Sequence, residues 1–160
     1  MSELMDDINY TLHALAGDVE REAKAGDIIY VQHSVYKHFG IYTGRKTNHV
    51  IHYTPNEYSI GKAIIHETSL RQFMDDADTY YVVPGKSLKQ AFSYVYSRHE
   101  SLDRAKSKIG ENAYHLFDNN CEAFAFWCRT GIRWSSQSKR PENALPPLAQ
   151  FAIKLIKHNL

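Results

Sequence analysis

The chain has 160 residues, the size of a single domain, since chains usually divide only beyond about 250 residues. Hydrophobic residues make up 43%, enough for one core, and 19 Lys plus Arg against 18 Asp plus Glu leave +1, which excludes a global field toward nucleic acid. Mean hydropathy is −0.48, and no apolar run approaches the roughly 20 residues of a membrane span. Leu4, Ile8 and Leu12 recur at helical spacing, so residues 1–24 are expected to be an N-terminal helical segment. From Gly26 the period changes to two. Asp27–Val31, Phe39–Thr43, His49–Tyr53, Ala63–Ile65 and Tyr80–Val83 are short and rich in β-branched and aromatic residues, with turn signals between them. They predict a meander of about five antiparallel strands. Helical spacing returns over Leu88, Phe92, Val95, His99, Leu102 and Ala105, predicting one helix from Leu88 to about Ile109, stopped by Gly110. A further helix is expected from Cys121 to Arg129, after the capping residues Asp118-Asn119-Asn120 and before Gly131. The order helix, sheet, helices is that of an α+β domain.

The N-terminus, Met1-Ser2-Glu3-Leu4-Met5-Asp6-Asp7, is acidic and lacks the order of a signal peptide, and Ser2 breaks the N-myristoylation pattern. A cytoplasmic protein is therefore expected. In the tail beyond Pro147, Leu148, Phe151, Ala152 and Leu155 share a face, and Lys154, Lys157 and His158 add positive charge. Such an amphipathic helix would make a peripheral membrane contact through residues 147–160, or would dock on its own domain or a second copy.

Two cysteines exclude a disulfide scaffold and an all-cysteine zinc site, whereas nine histidines leave a Cys/His nucleophilic site open. Cys121 falls in the first turn of its helix, where the helix dipole and a nearby imidazole would both favour the thiolate. Cys128 lies about two turns deeper, roughly 10 Å along the axis. That separation is too far for a disulfide, and Cys128 is expected in the core. If a loop over residues 43–47 closes the hairpin, Tyr42 faces Asn48, Gly40 faces Val50 and His38 faces His52. Directly opposed side chains share a face about 5 Å apart, which is what a general base and its orienting partner require. A zinc reading of His49, His52 and His66 lacks a recognised ligand spacing. His13, His33, His99, His115 and His158 fall in no constellation.

These residues resemble a known family. His38-Phe39-Gly40-Ile41-Tyr42-Thr43-Gly44, Val50-Ile51-His52 and Asn119-Asn120-Cys121-Glu122 with Phe124 are similar to the lecithin:retinol acyltransferase-like domain. Asp103-Arg104-Ala105 to Gly110, Tyr114, Trp127-Cys128-Arg129-Thr130-Gly131 and Ser136-Gln137 match as well. The resemblance implies a catalytic domain over residues 25–137 and a tail over 138–160. It also implies a circularly permuted papain-like (NlpC/P60) fold, with its strands packed on helices. By position it assigns Cys121 as nucleophile, His38 as base and His52 as the residue orienting that base. Tyr114 and Asn120 would position substrate, and neither metal nor cofactor is required. The chain departs from the family at Ala123, where members commonly carry His. The implied activity is a thiol acyltransferase or acyl hydrolase acting on acyl esters, phospholipid foremost. Two other readings use the same parts: an amide-cleaving NlpC/P60-like peptidase, and a non-catalytic partner-binding protein of the picornaviral 2A type. Nothing in the residues fixes an oligomeric state.

Overall fold

A computed structural model describes residues 23–33, 37–55, 63–112 and 120–134. Residues 1–22 of the expected N-terminal helical segment, Tyr114, Asn119, Ser136, Gln137 and the 138–160 tail lie outside the described residues, and Ala23 and Lys24 are not helical. Five strands, β1 (Ile28–Gln32), β2 (Lys37–Tyr42), β3 (His49–Pro55), β4 (Ala63–Ser69) and β5 (Tyr81–Val82), form one antiparallel sheet. Four helices accompany it among the described residues: α1 (Leu70–Met74), α2 (Gly85–Ala91), α3 (Arg98–Lys106) and α4 (Cys121–Thr130). The α+β reading holds. The order β4-β3-β2-β1-β5 makes the first four strands a meander, while β5 pairs with the far edge of β1 instead of following β4.

Both faces of the sheet are covered, which is why Ile28, Ile29, Tyr30 and Val31 run apolar without a polar face. On one face Ile28, Phe39, Ile41, Ile51, Tyr53 and Ile65 pack against Phe124, Ala125 and Cys128 of α4, with Ala105 of α3. On the other, Ile29, Val31, Tyr42, Val50 and Val82 pack around Phe73 of α1. Helix α1 starts with a reciprocal cap: Ser69 Oγ accepts from Gln72 N–H, and the Gln72 side chain accepts from Ser69 N–H. Among the described residues no helix is long and apolar enough to cross a membrane.

Two expectations need correction. The helix predicted from Leu88 to Ile109 is two helices. Phe92 turns extended (φ −123, ψ 143), and Ser97 opens α3 with a second capping box to Glu100. The hairpin register also differs. Ile41 pairs with Ile51 and Tyr42 with Val50, so the turn spans residues 43–49 and the expected partners are offset by two. Asn48 takes the left-handed conformation (φ 55), and its N–H donates to Gly44 O at 2.7 Å. That bond folds extra residues into the turn.

Gly40 lies under the α1 face. A Cβ there would sit 2.5 Å from Val50 Cγ1, 3.0 Å from Phe73 Cε2 and 3.1 Å from His52 Cβ. Val50 is fully buried and stiff at χ1, so it cannot retreat cheaply. Gly40→Ala is therefore expected to destabilise the protein by about 1–3 kcal/mol, the usual range for overpacking. Urea denaturation of both proteins checks this, and equal midpoints would show slack in that face.

Candidate active site

The β2–β3 ladder pairs only Ile41 with Ile51 and Tyr42 with Val50. Tyr42 uses its own N–H and C=O toward the β1 side, donating to Asp27 O at 3.0 Å and accepting from Gly26 N–H at 2.7 Å. By the alternation of a strand, the backbone groups of Lys37, Phe39 and Ile41 face β3. Past Ile41 their neighbour is a different group. The Cys121 thiol donates to Lys37 O at 4.0 Å, and the Phe39 N–H also points at its sulfur. Sγ thus lies against the backbone on either side of His38. Among the described contacts the thiol bonds the Lys37 carbonyl and not the imidazole.

Asn120 makes this placement possible. Its side-chain oxygen accepts from Ala123 N–H at 2.9 Å, and its carbonyl accepts from Phe124 N–H at 3.0 Å. Helix α4 therefore begins at Cys121 as the capping pattern predicts, and it ends at Gly131 in the left-handed conformation (φ 78). The N–H groups of Glu122 and Cys121 are directed at Sγ. Ala123, where the family has His, is fully buried.

His38 and His52 share a face, as expected, but as diagonal rather than direct neighbours. A shift of two residues preserves side-chain parity, so the pair survives the changed register. His38 Nε2 and His52 Nδ1 are 2.8 Å apart, with the rings edge-to-face at 5.0 Å. His52 Nε2 lies 2.7 Å from Thr68 Oγ1, and that hydroxyl donates to Ser69 O at 3.2 Å. Phe73 packs on both imidazoles, with ring centroids 5.1 Å from His38 and 5.0 Å from His52.

His52 is buried and His38 and Cys121 are half-buried, and the charges respond. Burial holds His38 down at about 4, helped by the His33 imidazole. Burial and then His38 hold His52 down at about 3, partly offset by the Tyr53 backbone. Burial also pushes the Cys121 thiol up to about 12. The N–H groups of Phe39, Glu122 and Cys121 oppose that rise, and the Glu122 carboxylate adds to it. The sequence expects a thiolate here, whereas burial favours the neutral thiol and two neutral imidazoles. Desolvation outweighs the helix N-terminus. Cys128 is fully buried and its thiol is pushed up further.

The other described histidines have separate partners. His49 Nδ1 meets Glu67 at 2.9 Å, His66 meets Thr54, and His33 Nδ1 meets Asp76 at 3.4 Å. Among the described residues no three metal-ligating side chains gather. Sequence reasoning missed Thr68 and Phe73. The Ser69-to-Gln72 capping box marks the end of β4 and the start of α1, and so would have drawn attention to Phe73.

Residues 21–133 match the family model described as lecithin retinol acyltransferase. A search of curated proteins returns no match for the chain. The family match covers more than half of the sequence and spans Cys121, His38 and His52. The protein therefore belongs to the lecithin retinol acyltransferase family, whose members are broadly acyltransferases and acyl hydrolases.

Proposed function

We propose that the protein is a cysteine-dependent acyltransferase or acyl hydrolase that takes acyl groups from phospholipid esters through a thioester on Cys121. The observation that carries this reading is the seat of Cys121 Sγ at the first turn of α4, against the β2 backbone flanking His38. In this reading the thiol swings from the Lys37 carbonyl toward an ester carbonyl, and His38 takes its proton as the sulfur–carbon bond forms. N–H groups of Cys121 and Glu122, at the start of the helix, would meet the oxyanion. The tetrahedral intermediate then expels the alkoxide. His38 returns the proton to that oxygen, leaving acyl-Cys121 and a neutral imidazole. Water or an acceptor alcohol or amine would next give a proton to His38 and attack the thioester, and the departing sulfur would recover the proton. His52 would hold the His38 ring through both halves of the cycle.

The test is direct. Incubation with dioleoylphosphatidylcholine vesicles is expected to give lysolipid and an oleoyl adduct mapped to Cys121 by mass spectrometry. Cys121→Ala should lose both, and His38→Asn should lower the rate by at least about 100-fold, the lower range for a general base. Unchanged lysolipid release by Cys121→Ala would defeat the reading.

The raised thiol gives a second expectation. With the thiol near 12, the thiolate fraction grows about tenfold per pH unit throughout the neutral range. Iodoacetamide labelling of Cys121 in the resting protein should rise with that slope from about pH 6 to 9. A plateau near neutrality would instead reveal a preformed thiolate–imidazolium pair.

A further inference from the structure

We infer that Thr68 is a positioning residue that fixes the ring tautomers of His52 and His38, so that the nitrogen left basic on His38 is Nδ1. The inference rests on the reading of Cys121 and His38 as nucleophile and base, and deepens it.

One chain of hydrogen bonds, from Ser69 O through Thr68 and His52 to His38, fixes where each proton sits. The Thr68 hydroxyl has a single hydrogen, and it is assigned to Ser69 O, a carbonyl 3.2 Å away that can only accept. Toward His52 Nε2, at 2.7 Å, the same oxygen can therefore only accept, so Nε2 of His52 carries the ring hydrogen. A neutral imidazole has one N–H, which leaves His52 Nδ1 as an acceptor. The short contact to His38 Nε2, 2.8 Å, is then a bond donated by His38. Its own single hydrogen is thereby placed on Nε2, and the lone pair stays on Nδ1. That nitrogen is the one nearer the His38 backbone, where Cys121 Sγ lies on the Lys37 carbonyl. Reverse the Thr68 bond and every assignment inverts: His38 would carry its hydrogen on Nδ1 and could not accept the thiol proton there.

The surroundings keep this choice from relaxing. His52 is 4% exposed, so water cannot easily replace Thr68 as its acceptor. Phe73 blocks ring rotation of both imidazoles. The Ser69 carbonyl that takes the threonine hydrogen is itself fixed, because Ser69 caps α1 with its side chain. A valine in place of threonine keeps the shape and removes the acceptor, leaving the His52 Nε2 hydrogen buried and unpaired.

Long-range proton–nitrogen NMR of the ¹⁵N-labelled full chain reads the ring nitrogens directly. In the parent protein His52 and His38 are both expected to be protonated at Nε2 and bare at Nδ1. Thr68→Val should shift His52 toward the Nδ1-protonated form and lower kcat/KM for p-nitrophenyl butyrate hydrolysis by about tenfold or more, the effect of losing one hydrogen bond. Thr68→Ser, which retains the hydroxyl, should restore both the spectrum and the rate. A parent spectrum with His52 protonated at Nδ1 would overturn the inference, with no reliance on any variant folding. So would a Thr68→Val protein whose rings keep the parental pattern. Cys121→Ala separates the two levels. Undiminished ester hydrolysis in that variant would sink the nucleophile reading, while the ring spectrum alone would judge the role of Thr68.

Discussion

The site depends on the parting of β2 from β3. Two strands of a meander would ordinarily exchange hydrogen bonds along their whole overlap, yet these two pair only beside the turn, at Ile41 with Ile51 and Tyr42 with Val50. Beyond that point the outward backbone groups of Lys37 and Phe39 need other partners, because buried peptide groups left unpaired are costly. The thiol of Cys121 meets the carbonyl of one and the N–H of the other. A helix N-terminus can thus be seated at a sheet without capping an edge strand. The nucleophilic candidate arrives from the α4 face while the histidines project to the α1 face, and the two assemblies meet at Lys37, His38 and Phe39.

The same parting accounts for the electrostatics. Cys121, itself half-buried, lies along the gap, and Phe73 packs over the imidazoles on the other face. Each of these titratable groups is pressed toward its neutral form. Acid and base respond oppositely to one cause: burial raises the thiol and lowers both imidazoles. Gly40 belongs to this arrangement, since only a residue without Cβ lets Phe73, Val50 and His52 close over the strand.

Much of this was legible in the sequence, for reasons that differ by residue. The pairing of His38 with His52 followed from parity, which a shift of two cannot disturb. The register itself was not legible, because it turns on Asn48 adopting a positive φ, which nothing in a period-two pattern reveals. The start of α4 was legible from Asn120, a residue that caps well and propagates poorly. The break at residues 92–97 was hidden because Phe92 and Val95 also fit helical spacing, and the Ser97-to-Glu100 box that contradicts it is a local signal beneath a longer one. Thr68 was invisible for a different reason. A threonine in a strand is ordinary, and its value comes only from which carbonyl its hydroxyl reaches. The protonation state of Cys121 is not legible in the sequence, because helix position is a sequence property, whereas desolvation is a property of the packed whole.

Register along β1 is what makes these placements mutually consistent. The ladder from Ile28 with Ile41 to Gln32 with Lys37 fixes which way each β2 side chain points. A slip of one residue would turn His38 toward α4 and Phe39 toward α1, separating both imidazoles and removing the aromatic that Tyr30 and Phe126 pack against. Such a slip is opposed on both faces at once, because β1 is buried on each and offers no polar side to accommodate the exchange. The apolar run of β1 therefore does more than fill a core. It locks the alternation of β2, and through β2 it determines that a histidine, and not the phenylalanine beside it, meets His52 and through it Thr68.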